Sequence, residues 1–324
     1  MLAPAGNRPS LLRVLSMRQG TWCAVGAFVL WGVLPVYWKA LQAIPAGQIL
    51  AHRVVWSAIL LIGLVLVRGE FRALRAATGG RALWIYSGAA ILLAVNWLTY
   101  IWAVNAARIV ETSLGYFINP LVSVLLGVVF LRERLGRMQW LAVGMAGAGV
   151  LYLTWQQGAL PWVAVLLAST FGLYGLLKKT APLGALPGLT LETALLGLPA
   201  LAWLLGLEAN GTCAWGHAGL RTTVLLTLTG VITTLPLLLF AAAVRRINLT
   251  TIGLLQYISP SCGLLIGVAV YGEPFDRTRW PGFVLIWAAL AVYSLESAWR
   301  RAGTFSLSFP SLRWQPHARK RNHR

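Results

Sequence analysis

LGYFINPLVSVLLGVVFLRE at 114–133 returns as LLQYISPSCGLLIGVAVYGE at 254–273, 140 residues further on and without a gap. Pro120 meets Pro260, Gly127 meets Gly267, Glu133 meets Glu273, and just beyond them Trp140 meets Trp280. Apolar sequence yields one or two such matches by chance, but not readily a proline, a glycine, a glutamate and a tryptophan in one register. The chain therefore reads as two halves, about 20–156 and 159–299, with short tails at 1–19 and 300–324.

Each copy of the motif is an apolar run of about twenty residues, and runs of that kind fill the chain. Hydrophobic residues make up 58% of the sequence and charged residues only 11%, less than half the share of about 25% in a soluble domain. At ~1.5 Å rise per residue, some twenty residues cross a ~30 Å hydrocarbon layer. On that ruler ten segments emerge, at 20–38, 46–67, 83–105, 112–131, 138–156, 159–177, 185–206, 223–244, 249–271 and 280–299. The sequence predicts an all-α integral membrane protein of ten transmembrane helices, five in each half.

A formal charge of +19 suggests nucleic acid until its distribution is considered. Lys and Arg lie in short loops and tails between the apolar runs. With the N-terminus in the cytoplasm, 21 of them fall on the cytoplasmic side and five on the other, with Arg53 inside a span. That bias fits basic loops holding an even number of helices N-in and C-in, and nucleic acid is not among the expected partners. Arg8, Arg13 and Arg18 precede an apolar run that continues with no A-x-A-like end, so the run reads as the first span. Cys23, Cys213 and Cys262 are too far apart for a metal-type spacing; no disulfide framework, metal or cofactor is expected.

Five helices per half is an odd number. If the first half starts in the cytoplasm the second starts outside, so the two lie upside down relative to each other. Inverted repeats of this kind recur in transporters, with the solute site near the midplane between the halves. Two full halves in one chain make a monomer sufficient and leave a dimer open.

Ionisable groups within the spans are costly unless satisfied, and each is a candidate site residue. His52 and Arg53 stand in the second span and Glu192 in the seventh. Arg53 and Glu192 are expected to face one cavity from opposite halves, Arg53 anchoring an anionic group and Glu192 binding a proton or cation. Polar and aromatic residues suited to a cavity wall are Asn96, Trp97, Tyr100, Trp102 and Asn105 in the third span, Tyr116 and Asn119 in the fourth, and Gln256 and Tyr257 in the ninth. Pro120 and Pro260 each leave a carbonyl without its helical donor, on Tyr116 and Gln256, and are expected to act as hinges. Gly144, Gly147, Ala148 and Gly149 suit close packing of the fifth helix.

QILAHRVVWS at 48–57, NWLTYIWAVN at 96–105, SLGYFINPL at 113–121, RMQWLAV at 137–143, LET at 191–193 and LLQYISP at 254–260 resemble the RarD group of the drug/metabolite transporter superfamily, from about Gly20 to Trp299. The resemblance implies two EamA-type domains of five helices each and permease activity in a bacterial inner membrane. It also implies an acidic residue where this chain has Gln48, which leaves Glu192 as the central acidic candidate. The expected function is movement of a small organic solute, a drug or metabolite, by alternating access, with the proton as a coupling ion. A non-transporting scaffold or lipid-handling protein is the rival, with a channel behind it. No H-E-x-x-H or G-x-S-x-G motif points to an enzyme.

Overall fold

The computed structural model describes residues 11–76, 79–105, 109–156, 162–272 and 277–306. Glu273, most of both tails and the side chain of Asn105 lie outside the described residues. Among the described residues every regular element is helical: α1 (Leu11–Lys39), α2 (Ala46–Val67), α3 (Phe71–Ala76), α4 (Gly80–Asn105), α5 (Ile109–Val129), α6 (Arg137–Trp155), α7 (Trp162–Thr180), α8 (Ala185–Ala209), α9 (Leu220–Val244), α10 (Leu249–Gln256), α11 (Ile258–Ala269) and α12 (Trp280–Ser306), the last entered through a short 3-10 turn. In lipid a backbone must satisfy its own polar groups, and a helix does so within one segment. Among the described residues seven stretches are long and apolar enough to cross a bilayer: those of α1, α2, α4, α7, α8, α9, and α10 with α11 taken together. A helix lies over each of the ten segments read from the sequence. The first and last overrun the expected tails, beginning at Leu11 and ending at Ser306. An apolar ruler stops where lipid stops, whereas helical hydrogen bonding continues into polar flanks.

The surface confirms the solvent. Leu198 is 75% exposed, Leu151 71% and Trp155 86%, a pattern that only a hydrocarbon surrounding tolerates on this scale. The interior divides into two main cores. In one, Phe28 and Trp31 of α1, Phe171 and Tyr174 of α7 and Phe240 of α9 pack ring against ring. In the other, α5, α6, α10 and α12 bury Val124, Ala142, Ala146, Leu254, Tyr257 and Ile286.

Helix pairing is extensive and specific. α5 packs on α7 and α10, α6 on α12, α2 on α8 and α9, α1 on α9 and α11, and α4 on α7 and α8. Glycines set the closest approaches. A Cβ on Gly32 of α1 would lie 2.5 Å from Cys262 Cβ of α11, and one on Gly172 of α7 would lie 2.8 Å from Val122 of α5. On α6 the buried stripe is Ala142, Ala146, Gly149 and Val150, with Gly149 against the Gly282 carbonyl of α12. Gly144 and Ala148 are exposed, and a Cβ on Gly144 would meet nothing within 4 Å. Only one face of α6 meets a partner, so of the small residues expected to pack there Gly149 does and Gly144 does not.

The two prolines behave differently. α5 runs unbroken through Pro120. The second copy breaks at Tyr257, where α10 ends and α11 begins, so Pro260 falls in a first helical turn where its missing N–H costs nothing. The turns that follow match in backbone conformation: Arg132 has φ +52° and Gly272, 140 residues on, φ +62°. In the first of them Glu133 reaches across to α10. Its carboxylate accepts from the backbone N–H groups of Leu249 (2.7 Å) and Thr250 (2.9 Å) and from the Thr250 hydroxyl (2.7 Å), satisfying donors that a helix start leaves free.

Candidate functional site

Arg53 and Glu192 stand among different partners. Arg53, on α2, directs its Nε to the Thr233 hydroxyl of α9 at 3.0 Å. Its guanidinium lies over the rings of Trp38 (4.8 Å) and Trp97 (4.9 Å), brought there by α1 and α4. Tyr100 and Tyr116 stand within electrostatic reach, with their rings 6.4 Å apart. Tyr100 is 39% exposed and Tyr116 50%, so this cluster has an open side. Among the described residues Arg53 faces no carboxylate.

Several other expected residues carry buried polar atoms that are only partly satisfied. His52 is buried and its Nε2 has no hydrogen-bond partner; one turn on, the indole N–H of Trp56 is also unpartnered. Asn119 Oδ1 and the Tyr257 hydroxyl are buried without partners near the two proline turns. Buried polar groups are nearly always paired, so each of these atoms is an exception. Gln256 is buried and accepts from Ser123 of α5. Asn96 donates to the Leu167 carbonyl (2.8 Å) and Thr170 hydroxyl (2.9 Å), tying α4 to α7.

Glu192 is elsewhere in chemistry. It is 0% exposed and forms an ion pair of 2.9 Å with Lys178 of α7, itself 4% exposed. Tyr174 donates to its other oxygen at 3.2 Å. Tyr86 of α4 completes the surroundings, its ring 5.8 Å from the Lys178 ammonium. Among the described residues the partner of Glu192 is Lys178. Lys178 lies just past the apolar run at 159–177, but α7 extends to Thr180 and turns it inward. The signal was one helical turn of spacing, since Tyr174 and Lys178 share a face. A lysine at the end of an apolar run looks the same in sequence whether it leaves the membrane or caps a buried acid.

Gln48, also on α2, is buried and uses both ends of its amide. Its nitrogen donates to the Thr212 carbonyl (2.8 Å) and its oxygen accepts from the Ala214 N–H (2.9 Å) in the loop between α8 and α9. A carboxylate in its place could accept but not donate. Further along that loop Trp215 packs against Trp56, with ring centroids 5.8 Å apart.

Known proteins resemble this chain in sequence and in fold. The profile of the EamA-like transporter family matches residues 18–155. The uncharacterized transporter YojE of Bacillus subtilis is 45% identical over 301 residues, covering 88% of this chain and 97% of the relative. Protein RarD of Escherichia coli is 38% identical over 288 residues, covering 89% and 97%. The chloramphenicol-sensitive protein RarD of Pseudomonas aeruginosa is 34% identical, covering 86% and 95%. A solved crystal structure superposes with a TM-score of 0.64 at 19% identity, over 86% of this chain and 98% of that one, a likeness of fold. An all-helical, multi-pass membrane protein with relatives of this length and identity belongs to the RarD-type members of the EamA-like transporter family.

Proposed function

We propose that this protein is a bacterial inner-membrane permease for a small organic solute with an anionic group, which Arg53 holds while the two halves rock about it. The observation that carries the proposal is the Arg53 cluster: a guanidinium flanked by Trp38 and Trp97, open toward Tyr100 and Tyr116, with no carboxylate among the described residues. A charged group inside a membrane protein needs a counter-ion, and here the guest supplies it. The unpartnered polar atoms of His52, Asn119 and Tyr257 favour a solute with hydrogen-bonding groups of its own.

Alternating access requires two related halves, and the packing supports ten crossings as two inverted five-helix repeats. Taking α10 and α11 as one segment, an exchange of halves carries α5 on α7 into α11 on α1, and α1 on α9 into α7 on α4. It carries α2 on α9 into α8 on α4, while α2 on α8 and α6 on α12 map onto themselves. The offset of 140 turns Gly32 against Cys262 into Gly172 against Val122. N-in, C-in orientation follows from the distribution of Lys and Arg. The monomer is sufficient, since each half already has its inverted partner.

Glu192 is the proposed proton-coupling site, switching between Lys178 and a protonated state as helices move. The test uses purified protein in detergent with amino acids, drugs and metabolites, each as free acid and as neutral amide, reading binding and proton release together. Preference for the acid, lost in Arg53→Gln, is the expected result; equal binding of acid and amide would remove the anion anchor. Proton release that persists in Glu192→Gln would end its coupling role. Vesicles with demonstrated reconstitution but no solute flux would rule out the permease itself.

A further inference from the structure

A groove of about 620 Å³ lies between the C-terminal ends of α2 and α9 and the start of α8. Its rim carries Arg68, Glu70, Arg245 and Arg246, three positive charges against one negative. Its floor is apolar. Leu235, Leu238, Leu239 and Ala242 of α9 all line it, at the i, i+3, i+4, i+7 spacing that makes one stripe on a helix. That stripe ends at Arg246.

We infer that this groove binds one anionic glycerophospholipid, its phosphodiester at Arg68 and Arg246 and an acyl chain laid along the α9 stripe. Leu235 and Arg246 are eleven residues apart, which is ~16 Å of helix and about half of a ~30 Å hydrocarbon core. A polar end at helix termini followed by an apolar track one leaflet deep is the shape of a lipid, not of a free anion.

The arginines are not equivalent. Arg245 donates to the carbonyls of Ala181 (2.8 Å) and Leu183 (2.6 Å) and so holds the start of α8. Arg246 makes one bond within its own helix, to the Ala242 carbonyl. Among the described residues Arg68 has no side-chain partner. Arg68 and Arg246 therefore have donors to spare for a phosphodiester, and Glu70 can accept from headgroup hydroxyls. A glycerol headgroup fits that combination, while a second phosphate would meet Glu70 with like charge. Phosphatidylglycerol is the occupant this chemistry selects.

The full chain in detergent is the material for the test, with thermal unfolding and native mass spectrometry as readouts. Phosphatidylglycerol, phosphatidylcholine and inorganic phosphate are added separately. The expected result is that phosphatidylglycerol raises the unfolding temperature and stays bound, and that phosphatidylcholine and phosphate do neither. Arg68→Gln should weaken retention at least tenfold with no change in unfolding temperature without lipid, because nothing in the fold leans on that side chain. Ala242→Trp, which fills the stripe, should do the same with every arginine in place, and Arg277→Gln with Arg279→Gln, at the far exposed turn, should leave retention intact. Stabilisation by phosphate equal to that by lipid would overturn the proposal, as would retention unaffected by Arg68→Gln, or loss in the Arg277/Arg279 variant as large as in Arg68→Gln.

Discussion

The Arg53 and Glu192 clusters, which the proposed pairing of halves would make counterparts, solve their charge problem in opposite ways. The offset of 140 that superposes the two proline motifs takes His52 to Glu192, Arg53 to Thr193 and Trp38 to Lys178. In the second half the acid and its cation both come from the protein, and the pair is closed, with side chains 0% and 4% exposed. In the first half the related positions hold an imidazole with an unpartnered nitrogen and a tryptophan that covers Arg53. On the proposed function, one scaffold position would serve as an internal lock in one half and as a receptacle in the other. A buried ion pair adds little net stability but is costly to break, whereas a lone guanidinium stays receptive to an anion.

Substitutions of graded effect test that contrast. The largest effect belongs to Lys178→Met, which strands the Glu192 carboxylate in a dry interior and should cost about 3–5 kcal/mol of stability. Thermal unfolding in detergent reads it, and Lys178→Met combined with Glu192→Leu should recover most of the loss; a single variant as stable as wild type would mean the pair is no lock. Arg53→Gln should leave the unfolding temperature almost unchanged while weakening binding of an anionic solute by about 1.5–3 kcal/mol, roughly ten- to a hundredfold. A large drop in stability there would make Arg53 a structural residue like Lys178.

Smaller effects come from the packing that relates the halves. Gly32→Ala places a Cβ 2.5 Å from Cys262 Cβ and 2.8 Å from the Ser259 carbonyl, backbone that cannot step aside. It should cost about 1–3 kcal/mol. Gly172→Ala meets the side-chain methyls of Val122 and Leu126 instead and should cost less; the reverse order, measured by unfolding, would break the proposed equivalence. Smallest of all, Gln48→Glu removes the donor to the Thr212 carbonyl and should loosen the loop between α8 and α9 by about 1 kcal/mol. Faster amide hydrogen exchange at 210–219 would show it, with no change in the core.

Much of this was legible in the one-dimensional chain because lipid imposes simple rules. A segment must be apolar for about twenty residues, so the positions of the helices follow from composition, and the repeat of Pro120 and Pro260 suggests related halves in the sequence alone. The same rules blur at the ends of segments. Lys178 and Lys179 sit side by side, yet Lys178 turns in to Glu192 while Lys179 reaches the Val244 and Ile247 carbonyls. Which of two adjacent lysines enters the protein depends on helical phase relative to neighbours, and phase is invisible until the neighbours are placed. The same holds for α6, where Gly149 packs and Gly144 does not.

The sequence by itself determined that the protein lives in a membrane, where its helices lie, which family it resembles and which few ionisable groups the lipid makes expensive. Only the tertiary structure decided how those groups are paired. Pairing is a matter of a few ångströms between α2, α7, α8 and α9, set by glycine contacts and helix crossings that join residues more than a hundred positions apart. Hydropathy is summed along the chain, whereas the fate of a buried charge is decided across it.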